Sequence, residues 1–430
     1  MNFEKFCLEL KLSAAESETI YPGFAASAAE FSGGDKLEVL SQAYLDEILP
    51  KIGFDADDER RLRDFADHLR TDPVGGLMFF HAFRTLFVGE TPQALKNFPE
   101  FKTAFGKDAG TFYLLLGCAV FAPARESYRR AGLPLENLRL VGRKIKTTDE
   151  LNRLAFGEPG YYRHAIYWLR NYVDLSVVPV GRFEFRHSSA AKYNLVVLRR
   201  RADGRIVALS GRTSLGFLPD GDVAPVTDPR CIAAGALIDD PDFVIGAALD
   251  PASGKRLGTV KLLKSEWEYA VAPTDPILEW HIPGGGGMTP EITRASLEAG
   301  FEFFDRYFPA LPRAKAIMCS SWIFWKRYEE LRPQANPALA MRECSAFARP
   351  NRNWSGFYFL FGANTPDELP SPPRGDTSLQ RTMLKLLAEN GPASLGSGGV
   401  FILREHLDRW GTAPYRNALR VEDIARYLIS

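Results

Sequence analysis

The residues best suited to chemistry stand in one short segment, positions 276–308, where an acid, an imidazole and a run of glycines come in succession. Glu279 and His281 alternate with apolar residues, which is the period of two of a β-strand, so both side chains would lie on one face. Such a pair can perform acid–base chemistry, with Glu279 orienting His281 and raising its basicity. The alternative is that His281 only shapes the following loop and that Glu279 is solvated or salt-bridged.

Four glycines separate this strand from a predicted helix: Gly284, Gly285, Gly286 and Gly287. Thr289 is placed to cap that helix, and Pro290 to occupy its first turn. A backbone without Cβ atoms at a helix N-terminus presents several N–H donors to one point, where it can bind phosphate or pyrophosphate. We therefore expect a phosphate-bearing cofactor. No Gly-Lys-Ser/Thr follows the glycines, which argues against a nucleotide-binding P-loop.

Length and composition indicate the class of protein that must position these residues. The chain has 430 residues, too many for one ordinary core, so we expect two domains. Hydrophobic residues make up 46% and charged residues 25%, which is typical of a soluble globular protein. Lys plus Arg and Asp plus Glu both number 53, and this zero net charge argues against a nucleic-acid partner.

The cysteines and the apolar runs bear on location. Five cysteines are scattered without a C-x-x-C pair, which favours a reducing cytoplasm and argues against zinc, and we expect no metal. The N-terminus is acidic and polar, unlike a signal peptide. The longest apolar run, 111–124, is too short to span a membrane and predicts a buried helix instead.

The hydrophobic period changes near Val177 and divides the chain into two predicted parts. Residues 1–175 show helical spacing throughout, including a capping box at 147–150 and a last helix over 160–175. Residues 176–430 show strand patterns with a few helices, so we expect a twisted mixed sheet there. The predicted fold class is α+β. The strands are expected at 178–186, 193–199, 205–210, 243–249, 259–263, 276–282, 315–319, 341–347 and 354–361.

The glycine loop carries a family resemblance. His281-Ile-Pro-Gly284-Gly-Gly286 resembles the [Gln/Arg]-x-x-Gly-x-[Gly/Ala] loop of the GNAT superfamily of N-acetyltransferases, with His281 in place of Gln or Arg. In that superfamily the loop binds the pyrophosphate of acyl-CoA. The resemblance implies that the strand after the helix, 315–319, splays away and that the pantetheine arm lies in the opening.

A closer resemblance covers most of the chain. Its motifs are Tyr167-Trp-Leu-Arg, Gly181-Arg-Phe-Glu-Phe185, Glu279-Trp-His-Ile-Pro283, Cys319-Ser-Ser-Trp322 and Thr377-Ser-Leu-Gln380. In order and spacing they are similar to those of bacterial two-domain acyltransferases with a helical N-acyltransferase N-terminal domain and a GNAT-like C-terminal domain. The resemblance implies a cytoplasmic enzyme that transfers an acyl group from acetyl-CoA or a longer acyl-CoA to a small-molecule or peptide amine. The alternative, motivated by His281, is a non-catalytic acyl-CoA or phospholigand-binding protein.

Transfer to an amine needs a base, stabilisation of the thioester oxygen and a proton for the leaving thiolate. The resemblance implies direct attack with a Glu or His base, and here the candidates are Glu184, Glu279 and His281. Glu184 stands between two phenylalanines, where burial would raise its pKa, although an exposed face or an ion pair with Arg182 or Arg186 is the alternative.

Residues after the splayed strand complete the predicted site. Tyr328 lies on the next predicted helix, where the superfamily often carries its acid, although tyrosine is also common in amphipathic helices. Ser321 and Trp322 match the family motif and are expected beside the cofactor, with Trp322 either walling the acyl pocket or packing in the core. Cys319 could form an acyl-enzyme, but a cysteine ending an apolar strand is more often inert. The run Arg199-Arg200-Arg201 could meet a CoA phosphate or simply be solvated.

Overall fold

The structure is a computed structural model that describes residues 2–211, 214–347, 349, 353–392, 395–416 and 421–429. The chain forms two compact units. The first unit comprises Met1–Pro179, Pro283–Gly285 and Phe357–Arg374. The second comprises Val180–Ile282, Gly286–Gly356 and Gly375–Ser430.

The first 177 residues, as far as they are described, form helices and no strand. The α-helices are α1 Phe3–Glu9, α2 Ala14–Ile20, α3 Phe24–Glu30, α4 Gln42–Ile52, α5 Ala56–Thr71, α6 Pro73–Phe87, α7 Lys102–Phe105, α8 Ala109–Cys118, α9 Phe121–Arg130, α10 Arg139–Phe156, α11 Arg163–Ile166 and α12 Arg170–Val173. Within the described residues, no helix is long and apolar enough to cross a membrane.

Three helix predictions need correction. The apolar run 111–124 is buried, but it is shared between α8 and α9. The capping box predicted at 147–150 is wrong, because these residues lie inside α10, where the Thr148 hydroxyl donates to the Lys144 carbonyl at 2.9 Å. The last helix begins at Arg163, since Asp149 accepts the Gly160 N–H at 2.9 Å and keeps that glycine outside the helix.

All strands of the described chain lie from Val178 onward. They are β1 Val178–Val180, β2 Phe183–Ser189, β3 Leu195–Arg200, β4 Ile206–Ser210, β5 Leu215–Phe217, β6 Val223–Pro225, β7 Ala233–Ala234, β8 Leu237–Asp239, β9 Phe243–Leu249, β10 Arg256–Leu263, β11 Trp267–Val271, β12 Pro276–His281, β13 Ala316–Ser321, β14 Ser345–Phe347, β15 Gly398–Leu403 and β16 Leu428–Ile429. The remaining helices are α13 Pro290–Tyr307, α14 Lys326–Leu331, α15 Asn336–Arg342, α16 Phe357–Phe361, α17 Ser378–Asn390 and α18 Val421–Ile424.

The sheet that carries the candidate residues has six strands in the order β1-β2-β12-β13-β15-β14. It is mixed, because β12 pairs with β13 in parallel and with β2 antiparallel. Helix α13 packs on one face, where Gly300 is needed because a Cβ there would come within 2.8 Å of the Phe185 ring. The predicted fold class, a helical region followed by a mixed-sheet domain, is confirmed.

The second unit holds more than the one predicted sheet. A seven-stranded sheet runs β11-β3-β4-β9-β10-β16 with β8 on β9, and β5, β6 and β7 form a small third sheet.

The predicted strand at 354–361 is wrong, since Phe357–Phe361 is helix α16. The strand predicted at 341–347 shrinks to β14, because α15 extends to Arg342. In a short apolar run, the hydrophobic period alone does not distinguish a helix from a strand.

Candidate active site

Strands β12 and β13 part beside the glycine loop. Their parallel ladder ends at the pair Glu279 and Met318. Beyond it, β12 continues to His281 on β2, while β13 continues to Ser321 on β15. Each strand therefore follows its outer neighbour, and the sheet opens between them. The motif resemblance implied this splay.

The glycine loop connects β12 to α13, as the sequence predicts. Gly285 and Gly286 have φ of 72° and 77°, in the left-handed region that favours glycine. The Thr289 hydroxyl accepts the Ile292 N–H at 3.4 Å and caps α13. The loop therefore ends at the N-terminus of an 18-residue helix, a favourable place for an anion.

Part of the loop lies in the first unit and is closely packed there. A Cβ at Gly284 would come within 2.8 Å of the Thr147 methyl carbon, and one at Gly285 within 3.0 Å of the Thr147 hydroxyl oxygen. A Cβ at Gly287 would instead meet nothing within 4 Å. Gly284 and Gly285, at the start of the run, therefore allow close packing, whereas Gly287, at its end, has open space beside its Cα atom.

An arginine that the sequence analysis missed as a loop residue holds the end of the loop. The Arg182 guanidinium donates from Nε to the Gly287 carbonyl and from Nη2 to the Gly286 carbonyl, both at 3.2 Å, and we call this pair of hydrogen bonds the Arg182 clamp. The backbone N–H of Arg182 donates to Ser296 Oγ on α13 at 2.9 Å, and Arg182 is only 9% exposed. A peptide is planar, with its carbonyl and N–H opposed, so the next two N–H groups point away from the guanidinium.

The motif Gly181-Arg-Phe-Glu-Phe185 was the feature of the sequence that could have indicated a role for Arg182. It follows Gly181, which turns the chain between β1 and β2 with a φ of 61°. A Cβ at Gly181 would come within 2.8 Å of Ser296 Oγ, so this glycine brings the turn against α13. The sequence alone suggested Arg182 only as an ion-pair partner of Glu184.

The acidic candidates share a face of the sheet with His281. In the antiparallel register His281 is opposite Glu184, and Glu279 is two residues before His281. Glu184 is 2% exposed and Glu279 1% exposed, so the exposed alternative for both carboxylates is wrong. The predicted Glu279–His281 pair is formed, with Oε2 and Nε2 3.4 Å apart.

A lysine helps to set the charge state of Glu279. Lys192 Nζ lies 2.6 Å from Glu279 Oε2, so Glu279 is salt-bridged, as the alternative interpretation of this residue had it. Burial alone would raise the pKa of Glu279, but hydrogen bonds from His281, Lys192 and Ser188 outweigh it and lower the pKa to about 2. Glu279 is therefore ionised at neutral pH and binds protons weakly.

The residues after the opening gather around a cavity of about 210 Å³. Tyr328 on α14 is 6% exposed, lines this cavity, and has a hydroxyl with no hydrogen-bond partner in the described chain. Burial raises the pKa of Tyr328 above its usual value. Trp322 also lines the cavity, with its ring 5.8 Å from that of Tyr328. Ser321 Oγ accepts the Ile323 N–H at 3.4 Å, which caps the turn after β13.

Two further sequence candidates have local explanations. Cys319 is buried, and burial raises the pKa of its thiol well above the usual value, so the reactive thiolate is disfavoured. The three arginines at 199–201 are paired with carboxylates: Arg199 and Arg201 with Glu268, and Arg200 with Asp203. Among the residues that the structure describes, no three His, Cys, Asp or Glu side chains are grouped as metal ligands would be.

Comparison with known proteins adds a family and a fold. A sequence model described as "GNAT-like C-terminal domain" matches residues 177–400. No curated protein matches the chain. One similar crystal structure is an acyltransferase in complex with decanoyl-CoA and teicoplanin, with a TM-score of 0.57 and 16% identity over 94% of this chain and 99% of that one.

Two related structures have the same identity and coverage. One is an acyltransferase mutant in complex with octanoyl-CoA, with a TM-score of 0.58. The other is an acyltransferase in complex with CoA and 10C-Teicoplanin, with a TM-score of 0.57. At 16% identity the likeness shows a common fold.

Proposed function

The chain belongs to the GNAT-like C-terminal domain family, as the motifs suggested, and we propose that it is an acyl-CoA-dependent N-acyltransferase. The observation that carries this proposal is the opening between β12 and β13 next to the glycine loop. The similar acyltransferases in complex with decanoyl-CoA, octanoyl-CoA and CoA support acyl-CoA as the donor. Their complexes with teicoplanin and 10C-Teicoplanin support a small-molecule or peptide amine as the acceptor.

Donor binding is proposed at the four glycines. The N–H groups that point away from Arg182, together with the N-terminus of α13, would hold the CoA pyrophosphate. The pantetheine arm would lie in the opening between the two strands, beside Ser321 and Trp322. Carbonyl oxygens that face Arg182 would point away from the phosphates, so the Arg182 clamp would favour anion binding by the loop.

Among the three candidate bases, the low pKa of Glu279 favours His281. An alkyl amine has a pKa of about 10 and is protonated at neutral pH, so attack needs a proton acceptor. Glu279, with its pKa of about 2, is a poor acceptor and suits the role of orienting the imidazole. The side chain of His281 is partly exposed, and we propose it as the base. Glu184, opposite His281 in the register, is the second candidate.

Tyr328 is proposed to donate a hydrogen bond to the reacting thioester. A tyrosine pKa above its usual value of about 10 exceeds that of a thiol, about 8.5, so full proton transfer to the thiolate would cost more than about 2 kcal/mol. A hydrogen bond stabilises the developing charge without that cost. With the Cys319 thiol protonated, the acyl group would pass directly to the amine.

The wider setting is also a proposal. Residues 1–175 and 176–430 would be the helical N-acyltransferase domain and the GNAT-like domain of a bacterial protein. The five cysteines are all free, which suits a cytoplasmic location.

The rival function is acyl-CoA or phospholigand binding without catalysis, favoured by His281 in place of Gln or Arg. One experiment separates the two. The purified chain is titrated with CoA by calorimetry, then incubated with acyl-CoA and a panel of amines while free thiol is measured. Binding with amine-dependent thiol release supports the enzyme. Binding without release to any amine supports the rival. No CoA binding contradicts the enzyme and the acyl-CoA form of the rival, and leaves only a protein that binds another phospholigand.

A further inference from the structure

The cavity lined by Tyr328, here called the Tyr328 cavity, has a graded lining. Its floor is buried and mostly apolar, formed by Tyr328, Ala338 and Met341. Trp322 and Leu379 form partly exposed walls. Toward solvent it is polar, where Arg332 Nη1 donates to Ser378 Oγ at 2.8 Å. A ligand that fills the Tyr328 cavity would therefore have an apolar part against the buried floor.

The only uncommitted polar side-chain atom that we find in the described floor is the Tyr328 hydroxyl. Glu329 also lines the cavity, but Lys326 and Arg416 each lie 2.6 Å from its carboxylate, and Arg342 lies 3.4 Å away. Three cations around one carboxylate leave an excess of positive charge. A cationic amine acceptor is therefore disfavoured here.

The position of the cavity links it to the opening in the sheet. Met318 is the last residue of β13 that pairs with β12, and Trp322 at the cavity follows four residues later. Four extended residues span about 13 Å. A chain that continues from the opening along β13 would therefore arrive at the Tyr328 cavity.

We infer that the Tyr328 cavity holds the acyl chain of the donor. An alkyl chain matches a cavity whose buried floor is mostly apolar. The volume of 210 Å³ corresponds to roughly seven groups the size of water or methylene, at about 30 Å³ each. The donor class is a medium-chain acyl-CoA of about six to ten carbons. This inference rests on the proposed function.

Calorimetry of the full chain with CoA and with acetyl-, butyryl-, octanoyl-, dodecanoyl- and hexadecanoyl-CoA tests it. Affinity should rise with chain length to about eight carbons, by up to about fourfold per methylene, and then stop rising. Ala338→Phe, which fills the floor, should remove the preference for octanoyl-CoA and leave CoA and acetyl-CoA unchanged. Leu379→Trp, on a partly exposed wall, is the second variant in case the first does not fold.

Tight binding of CoA with no dependence on chain length would overturn the inference and leave the proposed function standing. A folded Ala338→Phe or Leu379→Trp variant that keeps the octanoyl preference would overturn it equally. Failure of CoA and all thioesters to bind is a different pattern, which contradicts the proposed function and the inference together.

Discussion

The Arg182 guanidinium donates a hydrogen bond to the backbone carbonyl of Gly286 at 3.2 Å, and a second to Gly287 at the same distance. A side chain from the turn before β2 thereby determines the orientation of two peptides in the glycine loop. Gly286, with its φ of 77°, allows the loop to present those carbonyls. Anion binding by the loop should therefore depend on a residue outside it.

Replacing Arg182 with Gln should lower CoA affinity by about tenfold or more, because two carbonyls lose their donor and the loop N–H groups lose their orientation. Turnover at saturating donor should change little, since Arg182 is not placed at the reacting atoms. Calorimetry, with kcat and KM measured separately, would check this. Arg201→Gln, which removes an ion pair with Glu268, is the control and should bind CoA normally. Equal CoA affinity in both variants would contradict the Arg182 clamp.

Gly286→Val should also weaken CoA binding about tenfold or more, because a β-branched residue is strained at a positive φ and its side chain would obstruct the approach of the phosphates. Gly204→Val is a matched control, since Gly204 has a φ of 71° in the hairpin between β3 and β4. Both substitutions should lower the melting temperature, but only the first should affect CoA affinity. If folded Gly286→Val binds CoA as the parent does, the loop is not the phosphate site.

Loss of the base should reduce kcat by roughly 10²–10⁴ with little change in CoA binding. We expect this for His281→Ala. Glu279→Gln should reduce kcat less than His281→Ala does, because Glu279 is proposed only to orient the His281 imidazole. Glu184→Gln tests the second candidate. Each variant would be assayed by thiol release with the same donor and amine. Full turnover in all three variants would show that the base lies elsewhere.

The low pKa of Glu279 predicts a pH-dependent contribution to stability. Its carboxyl titrates near 4.5 when unperturbed and at about 2 in the folded chain, so folding is favoured wherever the carboxylate is ionised. This contribution, of the order of a few kcal/mol, is fully present above pH 4.5 and is lost as pH falls towards 2. Denaturant unfolding of the parent and Glu279→Gln should show a gap at pH 7 that narrows below pH 4.5. A constant gap would mean that Glu279 is not held ionised by Lys192 and His281.

The sequence predicted the local units of the site well, because they depend on neighbouring residues. Alternation around Glu279 indicated β12, and the glycines with Thr289 indicated the loop and the cap of α13. Contacts between residues far apart in the chain were not predicted from the sequence. The hydrogen bonds of Arg182 to the loop join residues more than 100 positions apart, and the hydrophobic period of the sequence contains no information about them. The burial of Glu184 likewise depends on what covers the sheet.

Fold errors had the same origin. Thr147–Glu150 satisfies the pattern of a capping box, but α10 begins at Arg139 and continues through it. There the Thr148 hydroxyl donates to the Lys144 carbonyl, and Asp149 pairs with Arg153. The aromatic run that became α16 has the composition of a strand, and only its packing decides for a helix.

Direct transfer without a cysteine intermediate is the last prediction. Cys319 lies on β13 near the opening, but its burial raises the thiol pKa and so suppresses the nucleophilic thiolate. Cys319→Ala should therefore retain turnover within a few-fold, with any loss coming from packing. Mass spectrometry of the parent mixed with acyl-CoA alone should show no stable acyl adduct, and Cys231→Ala, at a partly exposed cysteine, controls for nonspecific acylation. An adduct on Cys319 that disappears on addition of amine would establish an acyl-enzyme, and the role of His281 would then be to activate a thiol.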